Sequence, residues 1–162
     1  AAMTGHQVYS TLHTNSAVGA FPRLFDIGIV PDTLAGNVIG ILAQRLVRTL
    51  CRTCRQSYDP DVRARRLVGF KPTEPAALFR AVGCERCDYQ GYKGRQAILE
   101  LLKIDPGIDD LIARRATARE ILTAARASDF KTLADDGIRL VRSGATSLDE
   151  LMRVIDLTDR MA

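Results

Sequence analysis

The chain has 162 residues, of which 46% are apolar and 26% are charged, and its formal net charge is +4. This composition excludes an intrinsically disordered chain, and the lack of an apolar run of about 18 residues excludes a membrane-spanning helix. The positive charge is localised, because eight basic and only two acidic residues lie between Arg45 and Lys71. That stretch is expected either to meet an anionic partner or to be a solvated surface around a small metal site.

The first fifty residues carry the alternating strand and helix patterns of an α/β protein. The chain opens Ala1-Ala2-Met3 without the basic start of a signal peptide, so we expect it to be cut from a longer protein. β-rich alternation, apolar residues at helical spacing and turn residues together predict four elements in chain order. They are a strand over 8–13, a helix from Asn15 to Gly28 kinked at Pro22, a helix from Pro31 to Leu42, and a short strand over 46–50.

The regular pattern stops between Cys51 and Lys93, where Cys, Pro, Gly and Tyr punctuate short pieces. Only 62–68 has helical spacing, so this part is interpreted as an inserted minidomain. A strand is predicted to return over 95–103, and Pro106 is expected to start a run of helices that continues to the end.

Two motifs typical of the first turn of a helix support the helical prediction for the last part of the chain. Thr117-x-x-Glu120 and Ser147-x-x-Glu150 fit the capping box, in which the hydroxyl and the carboxylate bind otherwise unpaired backbone amides. Helical spacing predicts two apolar faces, one with Phe130, Leu133, Ala134, Gly137, Ile138 and Val141, and another with Leu148, Leu151, Met152 and Ile155.

The four cysteines of the chain form two pairs, Cys51-x-x-Cys54 and Cys84-x-x-Cys87. A two-residue gap lets a tight turn direct both thiolates at one ion, and two such turns complete a tetrahedral zinc site. Such a site would be structural, because four protein ligands leave no position for water or substrate. Two disulfides, a redox pair or unrelated buried thiols are the alternatives that the spacing leaves open.

His13 is predicted to lie where a strand meets a helix, the edge at which open α/β sheets bind ligands. An imidazole there could contact the terminal phosphate of a nucleotide and release it after hydrolysis, although position alone favours a simple bond to a loop carbonyl. Arg23 and Arg95 have the chemistry of phosphate donors, but their spacing assigns neither a function.

Several motifs in the same order resemble one protein family. They are Thr4-Gly5-His6, Ser10-Thr11-Leu12-His13-Thr14-Asn15, Ala43-Gln44-Arg45-Leu46-Val47-Arg48, the two cysteine pairs, and Gly91-Tyr92-Lys93-Gly94-Arg95. Together they are similar to the C-terminal part of GspE/PilB-like traffic ATPases, which drive type II secretion and type IV pilus assembly. The separation of the cysteine pairs resembles the type II secretion members more closely.

The resemblance implies a role for each matching residue. It places His13 in the family's histidine box, as a catalytic residue near the terminal phosphate of ATP. It implies that Arg23 and Arg95 contribute to the nucleotide pocket or the subunit boundary, and that Cys51, Cys54, Cys84 and Cys87 bind structural zinc. ATP and magnesium are the implied cofactors of the full-length protein.

The same resemblance implies an architecture and partners. The fold class expected is α/β, the C-terminal part of a RecA-like P-loop NTPase domain with an inserted tetracysteine zinc subdomain and an all-α C-terminal helical tail. The domain limits expected are 1–50 for the partial ATPase core, 51–94 for the zinc subdomain, and 95–162 for the return strand and helices. The full-length protein is expected to be a cytoplasmic hexamer at the inner membrane face. It is expected to contact secretion platform proteins and, through its basic stretch, an anionic membrane surface.

The chain also departs from the family pattern. A Gly-x-x-x-x-Gly-Lys-Ser/Thr loop and the acidic boxes are absent from it, so the fragment alone is predicted to be inactive. Arg52 stands where the family commonly has Pro after the first Cys, a change that leaves the metal ligands intact.

A zinc-ribbon module that binds nucleic acid is the alternative from another functional class. The basic stretch and four nearby rings, those of Tyr58, Phe70, Tyr89 and Tyr92, motivate it. No recognisable reading helix or aromatic sheet motif accompanies them, so no nucleic-acid partner is expected. A scaffold that has kept the shape and lost catalysis is a third possibility.

Overall fold

The computed structural model describes residues 1–160, and the chain divides into two compact units. The first unit contains Ala1–Ala43 and Leu99–Thr132. The second contains Gln44–Ile98 and the residues from Leu133 onward. No helix within residues 1–160 is long and apolar enough to cross a bilayer.

Helices and strands alternate irregularly along the chain. The α-helices are α1 (Ala20–Asp26), α2 (Pro31–Leu34), α3 (Val62–Val68), α4 (Pro106–Ala113), α5 (Ala118–Ala127), α6 (Leu133–Arg142) and α7 (Leu148–Val154). The strands are β1 (Gly40–Leu50), β2 (Gln56–Tyr58), β3 (Leu78–Arg80) and β4 (Tyr92–Lys103), and short 3-10 helices cover Ala2–Thr4, Glu85–Cys87 and Thr158–Arg160.

The strands form two antiparallel pairs. β1 pairs with β4, and hydrogen bonds near opposite ends of this pair give its direction, because the Cys51 N–H donates to the Gly91 carbonyl and the Ile104 N–H to the Ile39 carbonyl. β2 pairs with β3 in a short ladder in which Ser57 lies opposite Phe79.

The first unit is built around a small apolar core under α1, α4 and α5. Its fully buried large side chains are Phe21, Leu102, Ile108, Ile112 and Ile121. The Asp105 carboxylate caps α4 by accepting the Ile108 N–H, and the Asp109 carboxylate accepts the Gly36 N–H at 2.9 Å, which ties the turn after α2 to α4.

The second unit packs α6 and α7 against each other, and α3 and β3 against α6. Its core contains Val47, Leu50, Val68, Leu78, Ile98, Leu140, Val141 and Leu151. The segment that contains the two cysteine pairs therefore shares a core with α6 and α7.

Gly137 of α6 packs tightly against Leu151 of α7. A Cβ built on it would lie 3.1 and 3.2 Å from Cδ2 and Cγ of the fully buried Leu151, and nearer still to Cδ1. We expect Gly137→Ala to destabilise the chain by about 1 kcal/mol, because overpacking costs roughly 1–3 kcal/mol and exceeds the gain of about 1 kcal/mol in helix propensity. Urea unfolding measures this. Gly107→Ala is the control, since its Cβ would meet only Asp105 Oδ1 at 3.4 Å, and equal destabilisation by both variants would contradict the packing argument.

The prediction of a strand over 8–13 is wrong. Residues 6–14 have no regular structure, and the side chains of 8–13 are exposed. β propensity describes how well side chains fit a pleated, partly buried surface. No strand within residues 1–160 pairs with this segment, so the propensity is not realised.

The two early helices are shorter than predicted. α1 begins at Ala20, because residues 15–19 form bends and a turn in which the Gly19 N–H donates to Ser16 Oγ. α2 ends at Leu34, and Leu42 belongs to β1, which also starts six residues before the predicted 46. The helical path ends at Ala35, whose ψ of 131° is not helical, and the positive φ of Gly36 then turns the chain away. The apolar spacing that follows fits strand alternation equally well.

Most elements predicted in the rest of the chain are confirmed. α3 matches the predicted 62–68, β4 contains the predicted 95–103 and extends to Tyr92, and α4 starts at Pro106. The capping box at Thr117 is formed in full. The predicted faces of α6 and α7 are buried at Leu133, Gly137, Ile138, Val141, Leu148 and Leu151, whereas Met152 is exposed and Ile155 lies after the end of α7.

Candidate metal centre and candidate nucleotide contacts

The four cysteines lie together in the second unit. Their Sγ atoms are all within 4.8 Å of one another, with Cys51 to Cys84 at 4.0 Å, and Cys54 to Cys87 and Cys84 to Cys87 at 3.8 Å. Cys51 and Cys87 are buried, whereas Cys54 and Cys84 are partly exposed. Sequence positions 33 residues apart thus meet at one point.

Two tight turns hold these thiols. Cys51 follows β1 directly, and its carbonyl accepts the N–H of Arg55, so the chain reverses within the first pair. In the second pair, Cys84 is the N-cap of the 3-10 helix Glu85–Cys87 and Cys87 is its last residue. Asp88 and Tyr89 then have positive φ angles that turn the chain back. Each turn presents both of its sulfurs on the same side, as the spacing predicts.

Backbone N–H groups also point at the sulfurs. Gly83 donates to Cys54 Sγ, while Cys84 and Gly91 donate to Cys87 Sγ, each at 3.3 Å. Gly91 joins the two turns, because its carbonyl accepts the Cys51 N–H at 2.9 Å. Its φ of 75° and the lack of space for a Cβ beside Ala81 require glycine at this position.

These donors and burial set the protonation of the thiols. The Thr53 N–H lowers the pKa of Cys51 to about 6, whereas burial raises the pKa of Cys54 to about 11. Burial also disfavours the Cys87 thiolate, but the N–H groups of Cys84 and Gly91 outweigh it and lower the pKa of that thiol. A bound divalent cation would favour the thiolate at every position.

The cluster fits a metal ion bound by four thiolates. Ligands at about 2.3 Å from a central ion in a tetrahedron are about 3.8 Å apart, close to the observed separations. A disulfide needs sulfurs about 2.05 Å apart, and all four cysteines are free thiols. The four residues could therefore hold one soft divalent metal in a closed site.

A charged cluster fixes the end of β1 that leads into Cys51. The buried Glu150 carboxylate accepts the backbone N–H of Arg48 at 3.0 Å, and both its Nε and Nη2 at 2.8 and 2.6 Å. Arg153 donates to the same carboxylate through Nε and Nη2 at 2.9 and 2.7 Å. The Arg153 and Arg48 guanidinium groups hold the pKa of Glu150 at about 2 against the opposing effect of burial.

This arrangement corrects the second predicted capping box. Ser147 Oγ caps α7 by accepting the Glu150 N–H, but the Glu150 side chain binds the two arginines rather than the Ser147 amide. Ser147 Oγ also contacts the Tyr92 hydroxyl at 2.7 Å, and the Tyr92 ring lies 4.1 Å from the Arg48 guanidinium. The turn between α6 and α7 is thereby attached to β1 beside the cysteine cluster.

The aromatic side chains proposed as stacking faces are only partly available. Tyr92 is covered by Arg48, and the Phe70 ring lies 4.4 Å below the Arg142 guanidinium. Tyr58 is half-buried, whereas Tyr89 is 71% exposed. These rings do not form a common exposed row, so no observation favours the nucleic-acid alternative.

The predicted nucleotide contacts are all exposed side chains. His13 lies in the irregular segment 6–14 and Arg23 on α1, both in the first unit, whereas Arg95 lies near the start of β4 in the second. The hydrogen bonds and ion pairs described for residues 1–160 do not join the three to one another. Their proposed roles therefore depend on the family rather than on observed contacts.

Sequence reasoning missed Glu100, a buried carboxylate on β4. Its Oε1 accepts the N–H of Ala17 at 2.5 Å. Ala17 lies four residues after His13. The signal was present in the strand pattern, because Ile98, Glu100 and Leu102 occupy alternate positions and the first and third are apolar core residues. A carboxylate at such a position requires a buried partner.

Comparison with known proteins gives consistent matches along the chain. The family model described as "Type II/IV secretion system protein" matches residues 1–153. Type II secretion system ATPase E of Vibrio cholerae is 47% identical over 154 residues, which cover 95% of this chain and 30% of that protein. Type II secretion system protein E of Pseudomonas aeruginosa is 45% identical with the same coverage, and type IV pilus assembly ATPase PilB of Thermus thermophilus is 43% identical over 94% of this chain and 17% of its own length. The chain spans less than a third of these curated relatives.

Proposed function

Because the chain belongs to the type II/IV secretion system protein family, a family of P-loop ATPases, we propose that it is the C-terminal part of a hexameric secretion ATPase. In the whole protein, ATP hydrolysis would be coupled to pseudopilus assembly and protein secretion. The observation that carries this proposal is the continuous match over residues 1–153, together with relatives named as secretion and pilus ATPases.

The proposed architecture follows the sequence prediction. Residues 1–50 would be part of a RecA-like core, 51–94 the zinc-binding subdomain, and 95–162 the return strand and the helical region. The clustered cysteines support the second assignment. Bound zinc would cross-link the two cysteine turns, and with four protein ligands it would offer no position for substrate.

The proposed chemistry assigns distinct tasks to three side chains. His13 would donate a hydrogen bond to the terminal phosphate of ATP and release it after hydrolysis. Arg23 and Arg95 would neutralise charge on the phosphates, from the same subunit or from a neighbour in the hexamer. The phosphate loop and the groups that hold magnesium would come from residues outside this chain.

The full-length protein would be cytoplasmic and peripheral at the inner membrane, with secretion platform proteins as partners. An anionic membrane surface is a further proposed partner of the basic stretch. On α3, the exposed Arg63 and Arg66 suit that role. Arg65 on the same helix is only partly exposed, and it donates to the Glu74 carbonyl at 2.6 Å and pairs with Asp59 at 3.2 Å.

Steady-state ATP hydrolysis tests the function. We expect the full-length protein to hydrolyse ATP and His13→Ala to lower its kcat by about 100-fold, the usual effect of losing one group that stabilises transferring charge. The 162-residue chain alone is expected to show no hydrolysis above background, since phosphoryl transfer needs the phosphate loop.

Arg119→Ala, on the exposed surface of α5, is the control and should retain the wild-type kcat. The assignment of His13 is wrong if His13→Ala and Arg119→Ala have the same kcat. Hydrolysis by the 162-residue chain that depends on His13 would show that the active-site residues have been misplaced.

A further inference from the structure

β4 carries a carboxylate on its buried face. Glu100 is only 4% exposed, and it lies between Ile98 and Leu102, which are 0% and 1% exposed. Alternate residues of a strand share one face, so Glu100 occupies a position suited to an apolar side chain. Burying a carboxylate is costly unless hydrogen bonds satisfy it, and this cost points to a specific task for the group.

Glu100 accepts a hydrogen bond from backbone far away in the sequence. Its Oε1 accepts the N–H of Ala17 at 2.5 Å, and Ala17 is itself fully buried. The two residues are 83 positions apart, and both belong to the first unit. A buried N–H and a buried carboxylate oxygen both cost free energy when left unpaired, so this bond is suited to fixing the backbone at Ala17.

The segment fixed in this way follows His13 directly. It has no helix or strand, and local bonds give it shape, since Thr14 Oγ1 donates to the Ser16 carbonyl at 3.1 Å and Gly19 N–H to Ser16 Oγ at 3.2 Å. Those bonds shape the turn internally. The bond to Glu100 attaches the turn to a strand, and Ala17, Val18, Ala20 and Phe21 then enter the core.

We propose that Glu100 is a positioning residue for His13: by holding the Ala17 N–H, it fixes the loop that presents the imidazole to the terminal phosphate. The inference rests on the proposed ATPase function. It explains why a carboxylate occupies a core position of β4, which the cysteine cluster and the arginines do not explain. Glu100 itself does not contact the nucleotide.

Kinetics of the full-length protein test this role. We expect Glu100→Ala to lower kcat by about 100-fold, because a misplacement of about 1 Å has an effect of that size, while KM for ATP stays within about threefold. Glu100→Gln keeps an acceptor oxygen and should restore kcat to within about 10-fold of the wild type. Asp110→Ala removes an exposed carboxylate of the same unit and should leave kcat unchanged.

The double variant distinguishes positioning from general stabilisation. If Glu100 acts through His13, Glu100→Ala combined with His13→Ala should have the kcat of His13→Ala alone. The proposal is overturned if the double variant shows the product of the two single losses in kcat, or if Glu100→Ala keeps the wild-type kcat. If Glu100→Ala does not fold, the same comparison is made with Glu100→Gln, whose smaller loss should likewise vanish in the His13→Ala background. Wild-type kcat in His13→Ala would refute the role of His13 and this inference together, whereas loss in His13→Ala without loss in either Glu100 variant would refute this inference alone.

Discussion

Removing the metal is expected to have the largest effect on this chain. We expect the purified chain to contain one zinc per molecule, and a strong chelator to lower its melting temperature by more than about 10 °C. Structural zinc contributes roughly 10–16 kcal/mol of apparent binding free energy in small domains, which is comparable with the whole stability of a domain. Metal analysis by mass spectrometry and thermal melting followed by circular dichroism measure both quantities.

The effect should extend beyond the cysteine turns. Cys51 is continuous with β1, Gly91 leads into β4, and Gly91 hydrogen-bonds to both turns. Loss of the ion would leave four thiols with unequal proton affinities in contact, among them Cys54 with a pKa of about 11. The pairing of β2 with β3 lies between the two turns in the sequence and should be lost with them.

Single-residue variants give the matched comparison for the metal. Cys54→Ser and Cys84→Ser should each reduce bound zinc well below one equivalent. Arg52→Ala changes an exposed residue inside the first turn and should retain a full equivalent, because it removes no ligand. Zinc content unchanged in both cysteine variants, or thiols found oxidised in pairs in the purified chain, would contradict a four-thiolate site.

Local signals were enough to predict several elements and the cysteine cluster. The capping box at Thr117 and the helix over 62–68 depend on residues within one or two turns of each other. The cysteine pairs depend on a tight turn whose geometry follows from a two-residue gap, and the four sulfurs are indeed close together. In the two helices the partners of each residue are its sequence neighbours. In the cysteine cluster only the turn within each pair is local, and the meeting of the two pairs follows from the four ligands that a tetrahedral ion needs.

Predictions failed where the partner lies far away in the sequence. The segment 8–13 has strand-like residues, but pairing in a sheet requires a second strand, which local propensity does not supply. Glu150 fits a capping box locally, yet it binds Arg48, 102 residues away. Two arginines offer its carboxylate stronger, charge-assisted bonds than one backbone amide does, so the tertiary contact prevails over the local motif.

Glu150 is the second site where a large effect is expected. We expect Glu150→Ala to destabilise the chain by about 3 kcal/mol, the lower end of the cost of breaking a buried ion pair. Its carboxylate is fully buried, but the Arg48 and Arg153 side chains are 42% and 60% exposed, so water can solvate them once the acid is gone. Arg153→Ala should destabilise the chain much less than Glu150→Ala, because Arg48 still pairs with the acid and the exposed Arg153 is screened by solvent.

Titration of the Glu150 carboxylate should make the stability of the chain depend on pH. Because the folded pKa of Glu150 is about 2 and its ordinary value is 4.5, ionised Glu150 stabilises the fold fully above pH 4.5, and this contribution is lost as pH falls through 2. Glu150→Gln cannot titrate. The difference in free energy of unfolding between wild type and Glu150→Gln should therefore shrink by roughly 1 kcal/mol between pH 7 and pH 3.5.

Urea unfolding of the two proteins at matched pH values measures this difference. Protonation of the cysteine cluster weakens both proteins in acid, and the comparison removes that shared effect. Asp149→Asn, an exposed neighbour on α7, should change stability by less than about 1 kcal/mol at pH 7.

A difference that stays constant from pH 7 to pH 3.5 would mean that the arginines do not hold Glu150 ionised. The attachment of α7 to β1 would then depend on the Leu50–Ala145 backbone bond and on apolar packing, and Glu150→Ala should cost no more than an ordinary buried hydrogen bond, about 1 kcal/mol.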